Sequence, residues 1–308
     1  MKIVFLDTAT MGDVSFAPIE KTGELVCYPS STKEEAKERV RDCEVLIVNK
    51  VLADRELIDS APKLKLICVA ATGVNNVDTE YAEEKGIHVR NAAGYSTDSV
   101  AQTTFMMILS LVGKSRGFDD FVKSGEYSRS GLFTDASKLF FELSGKNMGI
   151  IGFGAIGRKV ARIAEAFGMN VRYFSTSGTS HSREYPSVSL KELLESSDIV
   201  SIHAPYNGRT AGLIGPAELA MMKKTAYIIN MGRGGIIDEA ALAEAVDAGT
   251  VAGAGCDVFV REPLPEDSPL MKVRRKDRLI LTPHIGWASA EARGRLVSII
   301  AGNIAKGF

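Results

Sequence analysis

Near the C-terminus the chain reads LTPHIGWASAEARGR, residues 281–295. His284 follows an apolar run, is fenced by Pro283 and Gly286, and precedes Trp287, the only tryptophan in the chain. An imidazole so placed can give or take a proton near neutral pH, which is general acid–base chemistry. Two other strings supply groups that such chemistry needs. NMGRGGIIDEAAL sets Arg233 between glycines, where a planar guanidinium can grip a carboxylate by two N–H bonds. CDVFVREPLPED sets Asp257 at the end of an apolar run and Glu262 before Pro263. Singly, Arg233 reads as a solvated loop charge, Glu262 as a surface carboxylate and His284 as a satisfied core imidazole. Together they are an arginine, a carboxylate and a histidine at the ends of three different strand-like runs. In a parallel sheet such ends converge on the crevice that binds ligands.

The sharpest spacing signal is MGIIGFGAIGRKVARIAEAFGMNVRYFS. Gly152, Gly154 and Gly157 stand in G-x-G-x-x-G order between a strand-like run and a helical pattern, and Gly168 stops that helix. Ile156, Val160, Ile163 and Phe167 are its expected buried face. Strand, turn, helix and next strand together point to a dinucleotide site, against a plain glycine-rich turn. Gly152 would make the tight turn, Gly154 would let backbone N–H groups reach a pyrophosphate, and Gly157 would allow close helix–strand packing. After the second strand an NAD site usually carries a carboxylate for the ribose 2′-hydroxyl. Here the residues are Ser175, Thr176 and Ser177, with His181 and Arg183 following. Hydroxyls and nearby positive charge favour NADP, and NAD stays open.

These residues need a frame. Short apolar runs (KIVFLD, EVLIVN, LKLICVAA, IHVRN, MGIIGF, NVRYFS, IVSIHAP, AYIINM, GAGCDVF, LILTP) alternate with helical patterns, which indicates parallel sheets covered on both faces and an α/β class. Ser99-x-x-Gln102 reads as a capping box opening a long apolar helix. Residues 125–145 read as irregular and polar. A second strand–helix series runs from Met148 to about Thr282, and a last helix closes back onto the first series. The expected domains are therefore 1–98 with 283–308, and 99–282, with a cleft between them.

At 308 residues the chain is long for one core. Hydrophobic residues are 45% and charged residues 24%, ordinary for a globular protein, and a net charge of −1 argues against nucleic-acid or membrane-surface partners. Cys27, Cys43, Cys68 and Cys256 are scattered, three of them in apolar runs, which predicts buried, reduced thiols in a cytoplasmic protein and no metal site. The opening MKIVFLDTAT meets Asp7 too early for a signal peptide, and FMMILSLV (105–112) is too short to span a membrane. There is no solenoid-length repeat and no low-complexity tract.

The strings ATGVNNVD (71–78), GYSTDSVAQ (94–102), ELSGKNMGIIGFGAIG (142–157), NMGRGGIIDE (230–239), DVFVREP (257–263) and TPHIGWAS (282–289) resemble the D-isomer-specific 2-hydroxyacid dehydrogenases over nearly the whole chain. ATGVNNVD, GYSTDSVAQ and the tryptophan after the histidine are most similar to the glycerate dehydrogenase, or hydroxypyruvate reductase, branch. Tyr127 stands where tryptophan is frequent, and the acid after the second strand is missing. The resemblance implies a Rossmann dinucleotide-binding domain inserted in a flavodoxin-like substrate domain. It also implies NAD(P)-dependent interconversion of a small 2-oxo acid and its D-2-hydroxy acid. His284 would then be the acid/base, with Glu262 supporting its imidazolium and Arg233 holding the substrate carboxylate. Thr72, Gly73 and Val74 would offer backbone donors to that carboxylate, bordered by Asn49 and Lys50. Asp257 would orient the nicotinamide amide, and Gly286 and Trp287 would shape its pocket. Ala155, Ile156, His203, Ala204, Pro205, Thr210, Met231 and Gly232 would flank the cofactor. Domain closure would exclude water.

Two rivals share the resemblance. One is a nucleotide-sensing binding protein like the C-terminal binding protein corepressors, and nothing in this chain reads as a partner-recognition extension. The other oxidises formate or phosphite; Glu262 argues against the formate type. The long apolar helix Val100–Val112 and the resemblance together point to a homodimer.

Overall fold

A computed structural model describes residues 1–179 and 182–308. The chain forms two compact units, Met1–Ser96 with Trp287–Phe308, and Thr97–Gly286. The expected divisions at 98/99 and 282/283 thus fall at 96/97 and 286/287, which moves His284 and Gly286 into the second unit. The reason is local: the side chain of Asp257 accepts hydrogen bonds from Ile285 N and Gly286 N, which ties this loop to the strand before Asp257.

In the first unit, β1 (Lys2–Phe5), β2 (Glu24–Cys27), β3 (Val45–Val48), β4 (Leu66–Val69) and β5 (His88–Asn91) form a parallel sheet in the order β2-β1-β3-β4-β5. This is the flavodoxin-like order. Its central strands β1, β3 and β4 are apolar apart from Lys2 because both of their faces are covered. Val45 and Ile47 pack on one side with Ile3, Phe5 and the C-terminal helix, and Leu46 and Val48 pack on the other with Val4 and Leu6. The helix Ala290–Ala305 starts where Ser289 accepts from Ala292 N, and it buries Leu296, Val297, Ile300 and Ile304.

β2 was not expected from the sequence. It is an edge strand with no fully buried residue, so ELVC lacks the continuous apolar signature of its neighbours. Its Cys27 is exposed, whereas Cys43, Cys68 and Cys256 are buried, and burial pushes each of those three thiols up to about 12.

In the second unit, β6 (Asn147–Ile151), β7 (Asn170–Phe174), β8 (Ile199–Ile202), β9 (Tyr227–Asn230), β10 (Gly253–Cys256) and β11 (Leu279–Leu281) form a parallel sheet in the order β11-β10-β9-β8-β6-β7. The direction of winding reverses at β6, between β7 and β8, the switch point at which such sheets take ligands. The apolar helix runs Thr97–Val112, three residues further upstream than expected. Ser99 lies inside it, and its carbonyl accepts the Thr103 hydroxyl, so it is not the cap of a capping box. Within 125–145, Glu126–Ser130 forms a short helix and the rest is irregular. Among the described residues no helix is long and apolar enough to cross a membrane.

The glycine-turn helix Ala155–Ala166 buries Gly157, Val160, Ala161 and Ala164. Ile156 and Ile163 flank that stripe, but Phe167 is 40% exposed and stacks on Phe105 at 5.5 Å. Small residues form the inner face because the helix sits close to the sheet.

Candidate active site

All six strands of the second unit are parallel, so their C-terminal ends share one edge, roughly 24 Å long from β7 to β11 over five inter-strand steps. The loops along that edge carry, in spatial order, Ser175–Ser177, the glycine turn, His203–Thr210, Arg233, Asp257 with Glu262, and His284.

At the glycine turn the three glycines differ in what surrounds them. Gly152 has φ +89, and a Cβ there would meet the Ala204 backbone at 2.8 Å. A Cβ on Gly157 would collide with the Gly152 carbonyl oxygen. A Cβ on Gly154 would meet nothing within 4 Å. The first two are required by packing. Gly154 faces open space at the N-terminus of the helix Ala155–Ala166, whose unpaired N–H groups and dipole suit a phosphate. This is a cradle that fits a dinucleotide pyrophosphate.

The triad is built by bracing loops. After β9, Asn230 spans its own turn: Nδ2 donates to the Arg233 carbonyl at 3.0 Å, and Oδ1 accepts from Gly232 N at 3.1 Å. Arg233 is part-buried, and its Nη1 donates to the Gly232 carbonyl at 2.8 Å. Gly234 packs so tightly on the Phe259 backbone that no Cβ fits, which joins the arginine loop to the loop after β10. There Val260 N donates to Glu239 at 2.7 Å and Phe259 N donates to Glu262 Oε1 at 3.1 Å. The other oxygen, Glu262 Oε2, lies 2.7 Å from His284 Nδ1. Both side chains are about one-quarter exposed. A carboxylate only accepts, so Nδ1 carries the proton of this bond and Nε2 is left for other work.

His284 sits in the left-handed backbone region with φ 54, shared among described non-glycine residues only by Lys114. Such a conformation costs about 1–2 kcal/mol and persists where the surroundings impose it. Asp257, 2% exposed, imposes it: Oδ1 accepts from Thr282 Oγ1 at 2.5 Å and Ile285 N at 2.8 Å, and Oδ2 accepts from Gly286 N at 2.8 Å. Burial pushes its carboxyl above the ordinary range, against the pull of these bonds. The carboxylate read as a nicotinamide ligand is thus first a brace for the histidine loop. A Cβ on Gly286 would press on this oxygen and on Met231 at 2.9 Å, so glycine is required there.

Further along the edge, Ser175 is buried and its Oγ lies 3.1 Å from Ser177 Oγ, which is 2.9 Å from Thr179 Oγ1. His181 lies outside the described residues. Arg183 has no side-chain bond to this cluster; Arg209 does, donating from Nη1 to the Ser177 carbonyl at 2.9 Å. Sequence reading missed Arg209 because it belongs to the loop after β8, two strands from β7 in the sheet. Thr210 shapes that loop, with its hydroxyl donating to the Pro205 carbonyl at 2.6 Å and accepting from Asn207 N at 2.9 Å. His203 Nε2 pairs with Ser201 Oγ at 2.8 Å, while Nδ1 is sealed and has no partner among the described residues. Burial pushes His203 down to about 3, so it is neutral in the fold.

In the first unit, Asn49 and Lys50 follow β3, and Thr72–Val74 follow β4. Buried Asp7, at the end of β1, organises them. Its carboxylate accepts from Asn49 N at 2.9 Å, Lys50 N at 2.5 Å and Val51 N at 2.8 Å. Asn76 Nδ2 donates to the Asn49 and Val51 carbonyls at 3.3 and 3.0 Å, stitching the two loops together. Asn49 is itself buried and donates its amide to Thr10 at 2.8 Å. Neither Asp7 nor Asn76 was singled out from sequence; a lone acid closing an apolar strand was the available signal. Trp287 packs on the core of this unit, edge-on to Tyr95 at 6.3 Å.

An open glycine cradle, an imidazole–carboxylate pair and an arginine along one parallel-sheet edge define a nicotinamide-dependent oxidoreductase. The family model for the D-isomer specific 2-hydroxyacid dehydrogenase, NAD binding domain, matches residues 105–286. The chain is 36% identical to a hydroxypyruvate reductase of Blautia hydrogenotrophica, over 99% of this chain and 96% of that one. It is 35% identical to a glycerate dehydrogenase of Methylorubrum extorquens, over 98% and 95%. The crystal structure of an NADPH-dependent glyoxylate/hydroxypyruvate reductase from Sinorhizobium meliloti superposes with a TM-score of 0.83 at 26% identity, covering 99% of this chain and 93% of that one. The protein belongs to the D-2-hydroxyacid dehydrogenase family, in its glycerate dehydrogenase/hydroxypyruvate reductase branch, and binds a nicotinamide dinucleotide.

Proposed function

We propose that the protein interconverts a small 2-oxo acid and its D-2-hydroxy acid, hydroxypyruvate or glyoxylate with D-glycerate or glycolate, using NADPH in preference to NADH. The bound nicotinamide supplies a hydride to C2 of the oxo acid. The remaining need is a proton for the carbonyl oxygen. His284 Nε2 supplies it, because Nδ1 is engaged by Glu262 at 2.7 Å, and this contact is the observation that carries the reading. In the reverse direction the same nitrogen takes the hydroxyl proton. Glu262 holds the ring and balances its positive form. Arg233 grips the substrate carboxylate and polarises the carbonyl. Thr72, Gly73 and Val74 offer backbone donors to a carboxylate, with Asn49 and Lys50 alongside. Gly152, Gly154, Ala155, Ile156 and Gly157 cradle the pyrophosphate, and His203–Pro205, Thr210, Met231, Gly232 and Gly286 line the rest of the cofactor's path.

The preference for NADPH rests on the absence of any carboxylate at Ser175–Ser177 and on the hydroxyl chain there. A homodimer is the proposed assembly. On the second unit Met106, Leu109, Leu132, Phe133, Leu139 and Phe140 are 43% to 91% exposed, an apolar surface that a second copy would cover. Three buried thiols fit a cytoplasmic setting. The test is nicotinamide absorbance with hydroxypyruvate, glyoxylate, pyruvate, formate and phosphite in turn. Turnover of the first two is expected, and activity on formate or phosphite alone would overturn the reading.

A further inference from the structure

We infer that Arg209 completes a subsite for a ribose 2′-phosphate monoester, together with Ser175, Ser177 and Thr179. The inference rests on the NADPH reading above and names the cation that this reading lacked.

The end of β7 presents a line of hydroxyls, Ser175 to Ser177 at 3.1 Å and Ser177 to Thr179 at 2.9 Å. Hydroxyls alone cannot balance a phosphate dianion. Arg209 arrives from the loop after β8, across β6, and bonds the Ser177 carbonyl through Nη1 at 2.9 Å. Its loop is held from behind: Arg209 N donates to Asn207 Oδ1 at 2.9 Å, and Asn207 N donates to Thr210 Oγ1 at 2.9 Å. A guanidinium has five N–H donors, and one is used here. No carboxylate among the described residues pairs with it, in contrast to Arg39, Arg55 and Arg293, each of which has one within 3.2 Å. The side chain is exposed, so its positive charge meets solvent at the hydroxyl line. Gly178, with φ +81 and nothing within 4 Å of an added Cβ, leaves room beside it. A fixed, unpaired arginine beside clustered hydroxyls at the ribose end of a dinucleotide edge matches a phosphate monoester in charge and donor geometry. A ribose 2′-hydroxyl would use neither the charge nor the fork.

The experiment is equilibrium binding, by nicotinamide fluorescence, of NADPH and NADH to the wild-type protein and to Arg209→Ala and Arg209→Lys. Wild type is expected to bind NADPH more tightly. Arg209→Ala should weaken NADPH by about 10-fold or more and leave NADH within about twofold, and Arg209→Lys should recover part of the loss. Unchanged NADH binding shows that the variant is folded. A wild type that binds NADH as tightly as NADPH overturns the cofactor reading and this subsite with it. A wild-type NADPH preference that survives Arg209→Ala overturns the role of Arg209 alone.

Discussion

Asp257→Asn separates the bracing of the histidine loop from the stability of the fold. The wild-type carboxylate accepts from Thr282 Oγ1, Ile285 N and Gly286 N at 2.5, 2.8 and 2.8 Å. An amide keeps one oxygen. That oxygen can serve Thr282 and Ile285, and the NH2 then faces the buried Gly286 N–H. The loss is one charge-assisted bond, roughly 1.5–3 kcal/mol, and a donor left without an acceptor, roughly 1–3 kcal/mol. An opposing effect comes from burial, which pushes this carboxyl up and so penalises its charged form. A carboxyl raised in the fold contributes stability below its unfolded value of about 4 and loses it as pH rises through the raised folded value. The neutral amide escapes that loss. At neutral pH the two effects oppose, and the melting temperature should move by only a few degrees. Relative to wild type, the variant should melt higher at neutral than at acid pH. Activity has no such offset. Gly286 must shift from the amide, and His284, held at φ 54 two residues earlier, loses its orientation. A displacement near 1 Å costs about 10²-fold in turnover. The assay is kcat and KM with hydroxypyruvate and NADPH beside thermal melts at two pH values. Wild-type kcat in the folded variant would refute the bracing role, and collapse of the fold at neutral pH would refute the energetic offset.

The other perturbations are simpler. Arg233→Lys keeps the charge and loses the planar fork, so kcat/KM should fall by at least about 10-fold; equal activity would rule out paired carboxylate recognition. Asp7→Asn leaves one acceptor oxygen where the carboxylate offers two to Asn49, Lys50 and Val51, and turns an NH2 toward one of those N–H groups. It should cost about 2–3 kcal/mol and raise KM more than it lowers kcat, with cofactor affinity unchanged; a weakened cofactor would contradict this placement. His203 is pushed from 6.5 to about 3, so its contribution is complete above pH 6.5 and is lost as pH falls toward 3. His203→Gln should flatten that part of the stability–pH curve, and an unchanged curve would mean that other groups set it.

The strands with both faces covered were legible because each is a short continuous apolar run, and the glycine turn because its three glycines keep G-x-G-x-x-G spacing between such a run and a helical pattern. β2 was not, since an edge strand with half-exposed residues carries no such pattern. Arg233, Glu262 and His284 could be found by type and position at strand ends. The braces of these loops, Asn230 and Glu239, and Asp7 beneath the Asn49 loop of the first unit, could not, because each acts through backbone groups whose partners in the last two cases lie 21 to 44 residues away. Arg209 was hidden for the same reason: its partner Ser177 is 32 residues distant and on a different loop. The helix face failed at Phe167, where hydrophobic periodicity promised burial but close packing admitted only small side chains.

The central claim is that His284, fixed by Glu262, moves the proton. The direct measurement is single-turnover reduction of hydroxypyruvate by NADPH in His284→Ala, with cofactor affinity measured on the same sample. The expected result is a rate lower by on the order of 10²-fold or more with cofactor binding intact. A near-normal rate in a variant that still binds the cofactor would contradict the account.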